Sequence, residues 1–302
     1  MPSPGDDGHG MVVAGFDGSD QARSAALWAA REARGRDVPL LLVDVLRGPV
    51  PDLAFTPMAV PLPEAVSEEA VRRYAEDELA VVAADCTRLC PGLDVRTALE
   101  YGHPADALGR VARGADVLVL GSSGRSRLSR ALLGSTTADL VANHRRPVVV
   151  ARGDGSEDGP VVVGVDGSET SDLAAGYAFE HAERHGRDLL AVHAWADLPV
   201  EALAPLRERD ANRRQVEEES EALIGRCLAG HQQDHPDVRV RRAVALDGPS
   251  HALLEHAKDA SLLVVGSHGR GAVRRALLGS VSHAVLYHAP CSVAVVHRNE
   301  NA

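Results

Sequence analysis

The chain has 302 residues, a net charge of −11 with acidic excess in both halves, and a hydrophobic share of 45 % that includes only 3 % aromatics. That balance argues against a nucleic-acid partner, and no apolar run approaches the length needed to cross a bilayer. The polar, acidic Met1–Gly10 segment lacks the basic head and apolar middle of a secretion signal, and Cys86, Cys90, Cys227 and Cys291 form no Cys-x-x-Cys pair, so a reducing, cytoplasmic setting is expected.

In chain order, Met11–Phe16 reads as a strand, Ser19–Arg34 as an alanine-rich helix, Val38–Val45 as a second strand and Glu64–Cys90 as a long helix. Between the last two, Arg47–Pro63 holds five prolines and reads as a flap or partner-facing loop, with Trp195–Pro205 its shorter counterpart. Cys86 and Cys90, one helical turn apart, read as buried small side chains rather than half a metal site. Val95–Glu100 makes a third strand, Ala105–Arg113 a short helix, Val117–Leu120 a fourth strand, Ser135–Asn143 a helix and Val148–Ala151 a fifth strand. The polar, glycine-rich stretch Arg152–Pro160 reads as a linker, which sets the expected domains at 1–155 and 156–302. From Val161 to Val296 the pattern repeats: Val12–Ser19 matches Val161–Ser168, and Arg130–Ser135 matches Arg275–Ser280. Short apolar strands alternating with helices predict an α/β fold of two tandem, doubly wound, five-stranded parallel sheets with strand order 3-2-1-4-5. Ligands of such sheets lie beyond the carboxyl ends of the strands, where strands one and four are neighbours.

Two elements meet at that point. After strand four runs Gly121-x2-Gly124-x9-Gly134-Ser135, and 145 residues later the same spacing returns as Gly266-x2-Gly269-x9-Gly279-Ser280. Glycines after a strand let backbone N–H groups approach a phosphate, and Ser135 and Ser280 are N-cap candidates where a helix start favours negative charge. The only lysine is Lys258, away from both loops, so there is no Walker-type loop, and the dinucleotide fingerprint is missing after strand one. Phosphate charge then falls to backbone amides and to Ser122, Ser123, Arg125, Ser126, Arg127, Ser135 and Thr136, or to Ser267, His268, Arg270, Ser280 and Ser282. Asp17 and Asp166, in Asp-Gly-Ser after strand one, serve either a metal or phosphate or simply the start of the first helix. Trp28 and Tyr177 read as core, and His181-Ala-Glu-Arg-His185 as a solvated helix face, because its Glu is misplaced for a zinc protease.

These duplicated motifs resemble the ATP-binding branch of the universal stress protein family, in the tandem form common in actinobacteria. The likeness covers almost the whole chain. It implies a fold like the adenine nucleotide alpha hydrolases, two ATP sites with Mg held near Asp17 and Asp166, halves joined about a pseudo-twofold axis through the fifth strands, a homodimer, and a part in stress survival or dormancy. Carried over residue by residue, it places Gly15, Asp17, Gly18 and Ser19, or Gly164, Asp166, Gly167 and Ser168, beside the nucleotide. Gly121–Arg127 with Gly134, Ser135 and Thr136, or Gly266–Gly271 with Gly279, Ser280, Val281 and Ser282, would take ribose and phosphates. Val43 and Val45, or Val192 and Ala194, would follow the adenine edge, with Asp197 beyond. Asp44 stands where the second half has His193, which leaves the adenine side of the first site less defined. No residue set reads as a general base, so hydrolysis is expected to be slow or absent. Two other readings stay open: an ATP pyrophosphatase or nucleotidyl transferase, opposed by the lack of paired glycines after strand one, and a nucleotide-free scaffold acting on a protein partner, opposed by both intact loops.

Overall fold

The computed structural model describes residues 10–47, 68–123, 133–153, 156, 158–194, 210–269 and 278–298, with only the backbone at 210–213. The expected alternation is present. The first repeat gives β1 (Val12–Gly15), α1 (Asp20–Arg36), β2 (Leu40–Leu46), α2 (Glu68–Leu89), β3 (Val95–Tyr101), α3 (Pro104–Val111) running into a 3-10 turn at Ala112–Gly114, β4 (Val117–Gly121), α4 (Ser135–Asn143) and β5 (Val148–Ala151). The second gives β6 (Val161–Gly164), α5 (Glu169–His185), β7 (Leu189–Ala194), α6 (Asp210–Asp234), β8 (Val240–Ala245), α7 (Pro249–His256), β9 (Leu262–Gly266), α8 (Ser280–His288) and β10 (Ser292–Val296). Of the proline-rich stretch only Arg47 is among the described residues, and Trp195–Pro205 lies outside them.

By compactness the chain forms two units, Met1–Leu128 with Gly134–Leu140, and Ser129–Leu133 with Val141–Ala302. In the first, β2 pairs with β3 and β1, and β1 with β4, all parallel. In the second, β8, β7, β6, β9 and β10 lie side by side in parallel, the 3-2-1-4-5 order in repeat numbering. β5, although it belongs to the first sequence repeat, falls in the second unit and pairs antiparallel with β10, Val149 opposite Ala294. No helix among the described residues is long and apolar enough to cross a membrane.

The central strands carry no alternation because both faces are covered: Val12–Ala14, Val117–Val119, Val161–Val163 and Leu262–Val264 are fully buried. α1 lies close on β1 and β4 because Ala25, Ala26, Ala29, Ala30 and Ala33, all fully buried, put only methyl groups between helix and sheet. α1 and its counterpart α5 end alike, on a left-handed residue that is Asp37 (φ 57°) in one and Gly186 (φ 62°) in the other.

Burial also fixes the chemistry of several polar groups. It pushes the Cys86 and Cys291 thiols up to about 12, which makes them inert packing groups, as the sequence reading expected for Cys86. His297, just after β10, donates from Nε2 to the Val141 carbonyl at 2.9 Å. Burial depresses it to about 4, opposed by that bond and reinforced by the nearby His144 and His268. Its folded value is below the unfolded 6.5, so the unfolded chain takes the proton first. The stability linked to neutral His297 is therefore complete above pH 6.5 and lost as pH falls towards 4, about 3 kcal/mol in all. His297→Gln, which keeps a donor but cannot titrate, is expected to flatten the fall in denaturant stability over this window relative to the parent. Equal slopes in the two proteins would contradict it.

Candidate functional site

Each repeat builds the same turn where its first strand ends. Gly18 and Gly167 both sit at φ 78°, a left-handed conformation that a side chain would strain. Ahead of them, Oδ1 of Asp17 accepts the Ser19 N–H at 3.1 Å, while Oδ1 of Asp166 accepts both the Ser168 N–H at 2.9 Å and its hydroxyl at 2.6 Å. The helix N-caps are the serines: Ser19 Oγ accepts from the Ala22 N–H at 3.1 Å and Ser168 Oγ from the Ser171 N–H at 3.2 Å. The aspartates thus brace the caps with one oxygen. The second oxygen of Asp166 faces the glycine loop, where a Cβ added to Gly269 would stand 2.6 Å from Oδ2.

The glycine loops are also built alike. The N–H of Gly134 donates to the Ser122 carbonyl at 2.9 Å, and that of Gly279 to Ser267 at 2.8 Å, so one hydrogen bond ties the two ends of each loop. A hydroxyl then locks the following helix to the strand end: Thr137 donates to the Gly121 carbonyl at 2.9 Å and Ser282 to Gly266 at 2.6 Å. The Thr170 hydroxyl holds the His268 carbonyl. Ser280 is the first residue inside α8, with Gly279 in the cap position, so the expected serine N-cap is replaced by a glycine and no side chain caps the first turn of the helix. Thr137 was missed as the partner of Ser282; the hydroxyl two residues beyond Gly-Ser in both copies was the available signal.

In the first unit these parts open onto a cavity of about 580 Å³, a size suited to a small organic ligand. Its wall includes Gly15 and Asp17 from the first turn, and Val43, Asp44, Val45, Leu46 and Arg47 from the end of β2. Gly121, Ser123, Gly134, Ser135, Thr136 and Thr137 come from the loop and the start of α4. Phe16, Ala22 and Leu120 also line it, as do Val71, Tyr74 and Ala75 of α2 and Pro104 and Leu108 of α3, and none of these last five was singled out from sequence. The sheet order β2-β1-β4 separates the two ends: loop and helix N-terminus lie past β4, while the apolar side chains of α2 and α3 pack by β2. The N-terminus of α4, with its unpaired N–H groups, gives the first end the character of an anion site.

In the second unit Gly164 packs against Leu253, and Val192 accepts the Val165 N–H at 2.9 Å. Nδ1 of His193 donates to the Val165 carbonyl at 2.6 Å, so this histidine braces the strand end rather than opening to solvent. Ala194 closes β7. Gly124, Arg125, Ser126, Arg127, Asp197, Arg270 and Gly271 lie outside the described residues. Tyr177 is buried, as expected of core, and Trp28 is half-buried. His181 overturns the expectation of a solvated face: it is 5 % exposed, stacks with Tyr177 at a centroid distance of 6.3 Å and meets the His185 ring at a tilt at 4.3 Å. Its i+4 spacing from Tyr177 puts it on the buried stripe of α5, which the polar letters of the segment conceal.

The family model for the universal stress protein family matches twice, over residues 10–152 and 159–297. A universal stress protein of Mycobacterium tuberculosis strain H37Rv is 38 % identical over 296 residues, covering 96 % of this chain and 98 % of that protein. One from Mycolicibacterium smegmatis is 39 % identical over 290 residues, covering 94 % and 96 %. Among solved structures, a universal stress protein from Archaeoglobus fulgidus aligns over 96 % of this chain and 99 % of its own with a TM-score of 0.66 at 20 % identity, a likeness of fold. With both repeats matched and relatives aligned nearly end to end, the chain belongs to the universal stress protein family, in its tandem form.

Proposed function

We propose that the chain is an ATP-binding regulatory protein of the stress response, with one nucleotide site per repeat and slow or no hydrolysis. The observation that carries this reading is the first-unit cavity, whose one end offers a glycine loop and the start of α4 and whose other end is apolar. The second repeat supports a matching site through the same loop-closing bond, the same left-handed glycine and the same hydroxyl lock. Magnesium would be held beside Asp166 in the second repeat and, by the duplication, beside Asp17 in the first. Asp166 keeps Oδ1 on Ser168 and has Oδ2 turned to the loop, and one carboxylate oxygen completed by phosphate oxygens and water is a common way to hold this ion. When bound, magnesium would offset phosphate charge that the lysine-free loops leave to backbone amides, hydroxyls and arginines. Nucleotide binding would bias the protein towards one conformation, read by a second copy or another protein in the cytoplasm.

Titration of nucleotide-stripped protein with Mg-ATP is expected to give two nucleotides per chain, and phosphate release slower than about 1 per second, the low end of ordinary turnover. A stoichiometry near zero would refute nucleotide binding. Release of pyrophosphate, or several turnovers per second, would instead mark an enzyme.

A further inference from the structure

We propose that Tyr74 is the wall on which the nucleotide base stacks in the first repeat, an inference that rests on the nucleotide reading above and names the residue that makes its two sites unequal. Val71 and Tyr74 lie one turn apart on α2 and both line the cavity, yet they remain 39 % and 59 % exposed. They stand at the apolar end, beside β2, while the anion-binding loop and α4 stand past β4. A nucleotide with its phosphates at α4 would extend its base away from β4, towards Leu46 and Tyr74. A purine presents two flat apolar faces and a polar rim. The rim suits the exposed backbone ends of β2, and a face suits an aromatic ring that is otherwise half in water.

The second repeat lacks this wall. α2 and its counterpart α6 lead into their next strands through the same turn, Cys90 N–H to the Cys86 carbonyl and Leu93 N–H to that of Cys90 in one, His235 to His231 and Val238 to His235 in the other, a register that sets buried Leu79 opposite buried Ile224 and Tyr74 opposite Glu219. Glu219, at the position of Tyr74, is exposed and accepts from Nε2 of Gln215 at 3.0 Å, so an ionised carboxylate stands where the first repeat has a ring. Stacking therefore strengthens the first site only, and it does so on the adenine side that Asp44 left less defined in the sequence.

The test uses the full chain stripped of nucleotide and titrated with Mg-ATP. The parent is expected to show two sites of different affinity. Tyr74→Gln, which removes the ring and keeps a neutral polar side chain, should weaken the tighter site on the order of tenfold and leave the other unchanged, whereas Tyr74→Phe should keep parental affinity because it retains the ring. An exposed position predicts melting temperatures within about 2 °C of the parent for both variants. If Tyr74→Gln titrates like the parent, or if Tyr74→Phe loses as much as Tyr74→Gln, the stacking role is wrong while nucleotide binding stands. If the parent takes up no ATP, both readings fall together.

Discussion

Valine at position 266 is expected to destabilise the protein by about 3 kcal/mol and lower its melting temperature by about 10 °C. A Cβ at Gly266 would lie 2.9 Å from the carbonyl carbon, the carbonyl oxygen and the Cβ of Thr170, in the first turn of α5. That turn cannot yield cheaply, because Ser168 caps it from one side and the Thr170 hydroxyl holds the glycine loop from the other. Gly121→Val should act the same way in the first repeat, where the Cβ would stand 2.9 Å from the carbonyl carbon of Gln21 in α1. Gly230→Ala serves as the control, since nothing lies within 4 Å of the added carbon and alanine is the better helix former by about 1 kcal/mol. Calorimetry of the three variants decides it. A loss below about 1 kcal/mol for Gly266→Val would mean that the helix start slides aside and that the glycine is not a packing requirement.

Gly269→Val should act on the ligand instead of the fold. Its added carbon meets the Oδ2 end of the Asp166 side chain, a flexible atom, so melting should change little. The displaced carboxylate can no longer serve Ser168 and the bound ion together, and the second site is expected to lose affinity on the order of a hundredfold, the worth of a charge-assisted contact of roughly 2–3 kcal/mol. Combined with Gly124→Val, it should give a folded, cooperatively melting protein that takes up no ATP. Parental ATP affinity in the double variant, measured by titration, would show the loops to be ordinary turns. The φ of Gly269 is not among the positive ones, so it is the close approach of Asp166 that excludes a side chain there, whereas Gly18 and Gly167 in the strand-one turns are left-handed.

The periodic and repeated features were legible from the letters. Continuous apolar runs at Val117–Leu120 and Leu262–Val265 became buried strands, since a parallel strand covered on both faces leaves no polar alternation to hide it. The matched Asp-Gly-Ser and glycine loops placed both candidate sites at strand ends, because local conformation and close approach restrict residue choice within a few positions. What the letters did not reveal depends on which distant elements share a space. Val71, Tyr74, Pro104 and Leu108 are ordinary helix residues until the sheet order brings α2 and α3 beside the end of β2 and makes them a cavity wall. His181 looks polar, and only its position on the buried stripe of α5 takes it out of water. β5 carries four valine and alanine residues that fix it as a strand, but its antiparallel pairing with β10 of the other repeat is decided by which edge is open to it. Sequence alone determined the strands, helices and duplication, all set by short-range sterics and hydrophobic pattern. The tertiary structure alone decided the apolar wall of the pocket, the reason each glycine is needed and the partner of β5, because those follow from contacts between residues far apart in the chain.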